Sequence, residues 1–244
     1  MKAFTNTTYT KQQAMALMRE HKRLDLIIQG AYGKPVGDNW SGCLVGCAAK
    51  GKHVDFEPLF GVPWRVAWLA DDIFEGLSKE SATTFAETFF DGIKEGANLD
   101  RVYDHWCAWM LGDAVDGLVA ITNEPSVKAM SDLFGRAAVG DEPTESEWSA
   151  VAMAARAAWD AWDARDAWDA RDARAAWDAR AAMAARAAWA AWDARAARAA
   201  WDAMAAMAAR AAWDAWDAWD ARDAMAARAG KQKTKLLELM ENAV

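Results

Sequence analysis

No run of eighteen uncharged apolar residues occurs anywhere in the 244-residue chain. A bilayer-crossing helix needs about 20 such residues, so no membrane span is expected. The opening Met1-Lys2-Ala3-Phe4-Thr5-Asn6-Thr7-Thr8 lacks the apolar core of a secretory signal, which argues against export by that route. Cysteine is scarce, with Cys43, Cys47 and Cys107 the full set. An odd, sparse count suits a reducing compartment rather than a disulfide framework, and the expected location is cytoplasmic. Basic charge is also short, at 28 Lys and Arg against 36 Asp and Glu, a net charge of -8. That balance disfavours nucleic acid as a partner. Missing too are a Gly-rich phosphate loop, a Gly-x-Ser-x-Gly elbow and a His-Glu-x-x-His helix, so no familiar catalytic motif marks the chain as an enzyme. Ser, His and Asp are present, but at no spacing that suggests a triad.

What the sequence does hold is uneven. From Met153 to Gly230 it is a strict triplet array in which Trp, Arg or Met is followed by Ala or Asp and then by Ala. The 26 triplets open with 10 Trp, 11 Arg and 5 Met, carry 12 Asp and 14 Ala in the middle, and end in Ala except at Gly230. Arg against Asp leaves the array at -1, so -7 belongs to the other 166 residues. Ala is the strongest helix former, and neither Gly nor Pro interrupts the chain from Thr144 to Ala229. Thr144 with Glu147 makes a capping box behind Pro143, and Gly230 is placed to end the helix. The spacing therefore predicts one helix of roughly 85 residues, about 130 Å long, with a helical hairpin as the competitor.

A period of three does not match 3.6 residues per turn. Each triplet advances about 300°, so the Trp/Arg/Met stripe circles the helix about every six triplets. Trp159 and Trp177 share a face, and Trp168 lies opposite. No single face gathers Trp159, Trp162, Trp168, Trp177, Trp189, Trp192, Trp201, Trp213, Trp216 and Trp219. At about 150–250 Å² each, these ten rings amount to roughly 2,000 Å² of aromatic surface. Soluble monomers expose patches of only a few hundred Å², so a protein partner, a second copy or the N-terminal region is expected to cover part of it. Ion pairing adds little. Arg156–Asp160, Arg165–Asp169, Arg174–Asp178, Arg198–Asp202 and Arg210–Asp214 all run Arg first, the weaker order, and are worth a few tenths of a kcal/mol each. A plainer origin competes with the binding reading. Trp, Arg and Met codons differ by single bases, as do those of Asp and Ala. An expanded nine-nucleotide repeat would thus yield a spacer or oligomerising helix whose individual Trp positions matter little.

The first 143 residues read as an all-α domain. Thr10 and Gln13 form a capping box ahead of a face of Ala14, Leu17, Met18, His21 and Leu24. A Gly/Pro-punctuated loop spans 30–42, and a small-residue helix is expected over 41–50, carrying Cys43 and Cys47. Pro63 opens a helix with Val66, Leu69, Ala70, Ile73 and Leu77 inward. Further helices are expected over 81–94, 100–111 and 125–138. No alternating strand pattern flanked by turn signals is convincing; Leu118 to Thr122 is the best candidate, and it is short. The expected organisation is a helical globular domain over 1–143, the triplet-repeat helical region over 144–230 and a short C-terminal helix over 231–244.

One cluster in that domain carries chemistry. Cys43, Cys47 and His53 place two thiols and an imidazole close in sequence. Together they can hold zinc, with His105, Cys107 or a carboxylate as the fourth ligand. The spacing matches no zinc finger, and Cys-x-x-x-Cys is one residue too long for a thioredoxin-type redox pair. The competing reading is that small Gly and Cys residues permit a close helix crossing, because a free Cys packs as a small apolar residue. Asp71, Asp72 and Glu75 on the Pro63 helix suit acid–base or metal work, or a solvated flank. His105, among Tyr103, Trp106, Cys107, Trp109 and Met110, reads as a packed core histidine.

Several stretches resemble a group of uncharacterised bacterial and phage proteins with a globular helical N-terminal region, an Ala-rich repeat tail and a Leu-rich end. The residues that carry the likeness are Ile28-Gln29-Gly30, the run from Gly42 to Cys47, Phe60-Gly61-Val62-Pro63, the run from Leu69 to Leu77, Gly96-Ala97-Asn98-Leu99 and Lys235-Leu236-Leu237-Glu238-Leu239. The pure, Trp-rich triplet array departs from the looser Ala spacing expected of the group. The resemblance implies architecture and a phage or mobile-element provenance, with a target in the host, and transfers no catalytic residue. Three functional readings follow: a non-enzymatic interaction or scaffold protein, a metal- or thiol-dependent head on a helical scaffold, and a structural virion component.

Overall fold

A computed structural model describes residues 2–31, 33–122, 124–166 and 220–243, with side chains left out of the description at 156–166 and 220–224. The described chain is mostly helical, as the apolar periodicity requires. It falls into two compact units, Met1–Tyr103 with Ala224–Val244, and Asp104–Asp223.

In the first unit, α1 (Lys11–Arg23) starts at the Thr10 capping box, with both reciprocal bonds to Gln13 made, and buries Ala14, Met18 and His21. Leu17 is half-buried and Leu24 exposed, so the inward stripe is narrower than the periodicity suggests. The loop expected over 30–42 contains an antiparallel hairpin, β1 (Lys34–Val36) and β2 (Asn39–Ser41), in register Lys34↔Ser41, Pro35↔Trp40 and Val36↔Asn39. A two-residue Gly37-Asp38 turn joins the strands, with Gly37 at φ 59°. Two-residue hairpin turns need positive φ at the first central position, which Gly supplies at no steric cost. This short sheet is a local correction to a purely helical expectation.

The helix expected over 41–50 is shorter, α2 (Leu44–Ala48), and Cys43 is its N-cap rather than a member of its body. A single 3-10 turn (His53–Asp55) leads into α3 (Phe56–Phe60), which ends on Gly61 at φ 68°. In α4 (Trp64–Gly76), Val66, Leu69, Ala70 and Ile73 turn inward as expected, and Pro63 is the N-cap. Ser78 caps α5 (Lys79–Asp91), two residues ahead of the expected start.

The core of this unit is aromatic. Phe56, Phe60, Phe85, Phe89 and Phe90 are fully buried. Their rings lie 4.8 Å apart for Phe56–Phe60, 5.1 Å for Phe60–Phe90 and 5.3 Å for Phe89–Phe90. The last helix, α9 (Asp220–Glu241), belongs to this unit from Ala224 on. Ala229, Gln232, Leu236 and Met240 form its buried face. Their spacing of three, four and four is the helical stripe of a core-facing element. A Cβ added at Gly76 would stand 3.2 Å from the Ala229 side chain, and one at Gly92 3.2 Å from Leu237, so both glycines let α9 approach closely. Gly230 does not end a helix: α9 runs through it.

The helix α6 (Val102–Gly112) belongs to the second unit from Asp104 on. Leu118–Ala120, the best of the unconvincing strand candidates, is a 3-10 turn. The helix expected over 125–138 is found with those bounds, α7 (Pro125–Ala138), its proline at the first position where no N–H is missed. The box at Thr144 opens α8 (Glu145–Asp166). Glu147 N–H donates to Thr144 Oγ1 at 3.3 Å, and Thr144 N–H donates to Glu147 Oε2 at 2.7 Å. Phe134 and Trp148 meet edge-on at 5.1 Å, and Arg136 pairs with both Asp141 and Glu147. His105 is exposed, the opposite of the packed position its apolar neighbours suggest. The fully buried histidine is His21.

The Glu147 carboxyl, bonded first by Arg136 and then by the Thr144 backbone, titrates at about 2 against an ordinary 4.5. A depressed pKa contributes stability above the unfolded value and loses it as pH falls through the folded one. The α7–α8 junction is therefore expected to loosen between about pH 4.5 and about pH 2. Amide exchange at residues 144–148 should accelerate over that window in the native chain, and Glu147→Gln should reduce the pH dependence to what the Arg136–Asp141 pair contributes.

Candidate functional site

Two neighbouring segments and one more distant in sequence converge on a small cluster in the first unit. Cys43 is held at the start of α2, where its sulfur accepts the Gly46 N–H at 3.3 Å. His53 stands on the 3-10 turn, 3.3 Å from Cys43 Sγ through Nε2. Asp71 comes from α4, one helical turn after Ala67 and one before Glu75. Its Oδ2 lies 3.9 Å from the same His53 Nε2, and its Oδ1 accepts the Val45 N–H at 3.1 Å. The donor atoms of Cys43, His53 and Asp71 all lie within 4.8 Å of one another. Cys43 is buried, the His53 side chain is 8% exposed and that of Asp71 20%.

The surroundings fix these side chains. His53 Nδ1 faces the Gly51 carbonyl at 3.4 Å. Gly51 has φ 79°, and a Cβ there would run into the Trp40 ring, so the Trp40 side chain packs on the backbone that orients the imidazole. Trp68 tilts against His53 at 6.1 Å between ring centres. Burial pushes the Cys43 thiol far above its ordinary range, with the Asp71 charge adding to the shift. Burial likewise raises the Asp71 carboxyl, against the Val45 N–H, which lowers it. Glu75, raised by its own partial burial, accepts the Gly30 N–H at 2.6 Å.

Of the residues singled out in sequence, Cys43 and His53 come together, and Cys47 is not among the converging donors. Its thiol faces the carbonyls of Gly42 at 3.3 Å, Trp40 at 3.5 Å and Leu26 at 3.6 Å, and burial pushes it up to about 12. That environment fits the small buried apolar residue of the packing alternative. Asp71 supplies the third donor, the carboxylate left unspecified by spacing. Cys107 is buried in the other unit, where His105 is exposed. Trp159 and Trp162 fall within α8 but without described side chains, and Trp168, Trp177, Trp189, Trp192, Trp201, Trp213, Trp216 and Trp219 lie outside the described residues. Among the described residues no helix is long and apolar enough to cross a membrane.

No protein-family model matches the chain, and neither does any curated protein or solved structure.

Proposed function

We propose that the chain is a non-enzymatic interaction or scaffold protein whose tryptophan array binds a protein partner or a second copy. The reading includes cytoplasmic action on a host component and a phage or mobile-element origin, the latter on resemblance alone. One observation carries it: the first and last triplets of the array lie in helices held in packed structure. On one side Ala152 and Ala155 of α8 are buried and its first turn is tied to Arg136. On the other, α9 sinks Ala229, Leu236 and Met240. The array thus joins two packed segments of the chain, and its ten Trp supply the aromatic surface that this reading assigns to a partner or a second copy.

The test keeps the chain whole, since removing everything after residue 143 would strip α9 from the first unit. Replacing the ten array Trp by Ala preserves helix propensity while deleting the aromatic surface. Sedimentation velocity and affinity capture should show self-association or partner binding in the native chain. In the variant that binding should weaken by more than about 30-fold, the effect of losing even one anchoring Trp worth ~2 kcal/mol. Identical behaviour of the two chains would reduce the array to a spacer.

A further inference from the structure

We propose that Cys43 Sγ, His53 Nε2 and a carboxylate oxygen of Asp71 form a zinc site in the first unit, a site independent of the array's role. In tetrahedral zinc, bonds of about 2.3 Å to sulfur and about 2.0–2.2 Å to nitrogen or oxygen place donor atoms roughly 3.3–3.6 Å apart. The Cys43–His53 separation is 3.3 Å and the His53–Asp71 separation 3.9 Å. All three donor atoms lie within 4.8 Å of one another, so an ion draws the set together by about an ångström at most. The donor chemistry selects the metal. Calcium and magnesium take oxygen, copper(I) takes soft sulfur, and a mixed thiolate, imidazole and carboxylate set is that of zinc.

The outer contacts support the same assignment. Metal-binding histidines donate their remote N–H to a carbonyl or carboxylate, which aims the other nitrogen at the ion. His53 has the Gly51 carbonyl at Nδ1, so Nε2 is the nitrogen turned to the cluster. The remote oxygen of Asp71 is held by Val45 N–H, and the sulfur of Cys43 receives Gly46 N–H. Each ligand therefore has its own orienting partner.

A nucleophilic cysteine is the competing chemistry, and the geometry opposes it. A Cys–His–Asp relay needs the carboxylate on the ring nitrogen remote from sulfur. Here Asp71 and Cys43 share Nε2, and Nδ1 faces the backbone. Three donors converging on one point is a coordination geometry, and it leaves the fourth corner of a tetrahedron to water or an exogenous ligand.

The test uses the full chain, purified without a metal-affinity tag and loaded with zinc or cobalt(II). Elemental analysis should give one zinc per chain, and the cobalt form should show a thiolate-to-metal charge-transfer band. Asp71→Asn, nearly isosteric, should weaken zinc binding in chelator competition by no less than the about 10- to 100-fold that loss of an outer-shell partner costs. Cys43→Ser should abolish the charge-transfer band, and Cys47→Ser should leave band and stoichiometry intact. Circular dichroism of Asp71→Asn checks that its fold is kept. Absence of stoichiometric zinc, a cobalt spectrum without a thiolate band, or equal loss in the Cys47 and Cys43 variants would each overturn the assignment. So would unchanged affinity in Asp71→Asn.

Discussion

Replacing Leu236 and Met240 together by alanine is expected to unfold the unit built from residues 1–103 and 224–244. Both side chains are fully buried on one face of α9, one turn apart. Each large-to-small change at such a site costs about 2–5 kcal/mol through lost burial and the cavity left behind. As neighbours the two will couple, so their costs need not add. Even the lower sum, about 4 kcal/mol, approaches the whole stability of a marginal domain at ~5–15 kcal/mol. Urea denaturation followed by circular dichroism should show the transition displaced to much lower denaturant or lost. The exposed Glu238, on the opposite side of the same helix, gives the control: Glu238→Ala should shift the midpoint hardly at all. A double variant as stable as the native chain would mean that α9 is an accessory to this unit and not part of its core.

The second large effect lies in the phenylalanine cluster. Phe90 is fully buried, with ring centres of Phe60 at 5.1 Å, Phe89 at 5.3 Å, Phe56 at 5.9 Å and Phe4 at 6.5 Å. Phe→Ala at a closed site costs about 3–5 kcal/mol, and aromatic pairs add about 0.5–1.5 kcal/mol beyond burial. Phe90→Ala is therefore expected near the upper end of that range. Phe4→Ala, at the half-buried margin of the cluster, should cost clearly less. Equilibrium unfolding of the two variants side by side decides the matter. Equal costs would show that the rings do not act as one packed group.

Much of the helical framework was legible because its signals are local. Thr10 with Gln13, Thr144 with Glu147 and Pro125 at a first helical position each announce a helix start within four residues, and all three are used that way. The hairpin escaped because strands of three residues are too short to show alternation and β1 is exposed along its whole length. Its one signal, a Gly-Asp pair between short runs, is a known hairpin turn. Gly230 misled for the opposite reason: burial of Ala229 and Leu236 on either side overrides the local preference of a glycine to end a helix. His105 sits among apolar neighbours in sequence yet on the outer side of its helix, a distinction that composition cannot make. The cluster was half legible. Cys43 and His53 are near in sequence, but Asp71 is brought to them only by the packing of α2 on α4. Tertiary contacts of that kind leave no trace in spacing.

The burial of α9 in the first unit gives the repeat a second physical meaning. Because α9 is joined to the rest of the chain through the array, its docking is an intramolecular event governed by an effective concentration. The number of triplets is one determinant of that concentration. A break in the array would turn docking into a bimolecular association that weakens on dilution. Expansion or contraction of the repeat thus acts at a distance on how firmly the first unit is closed, through a segment whose last triplet supplies Ala229 to that unit's core.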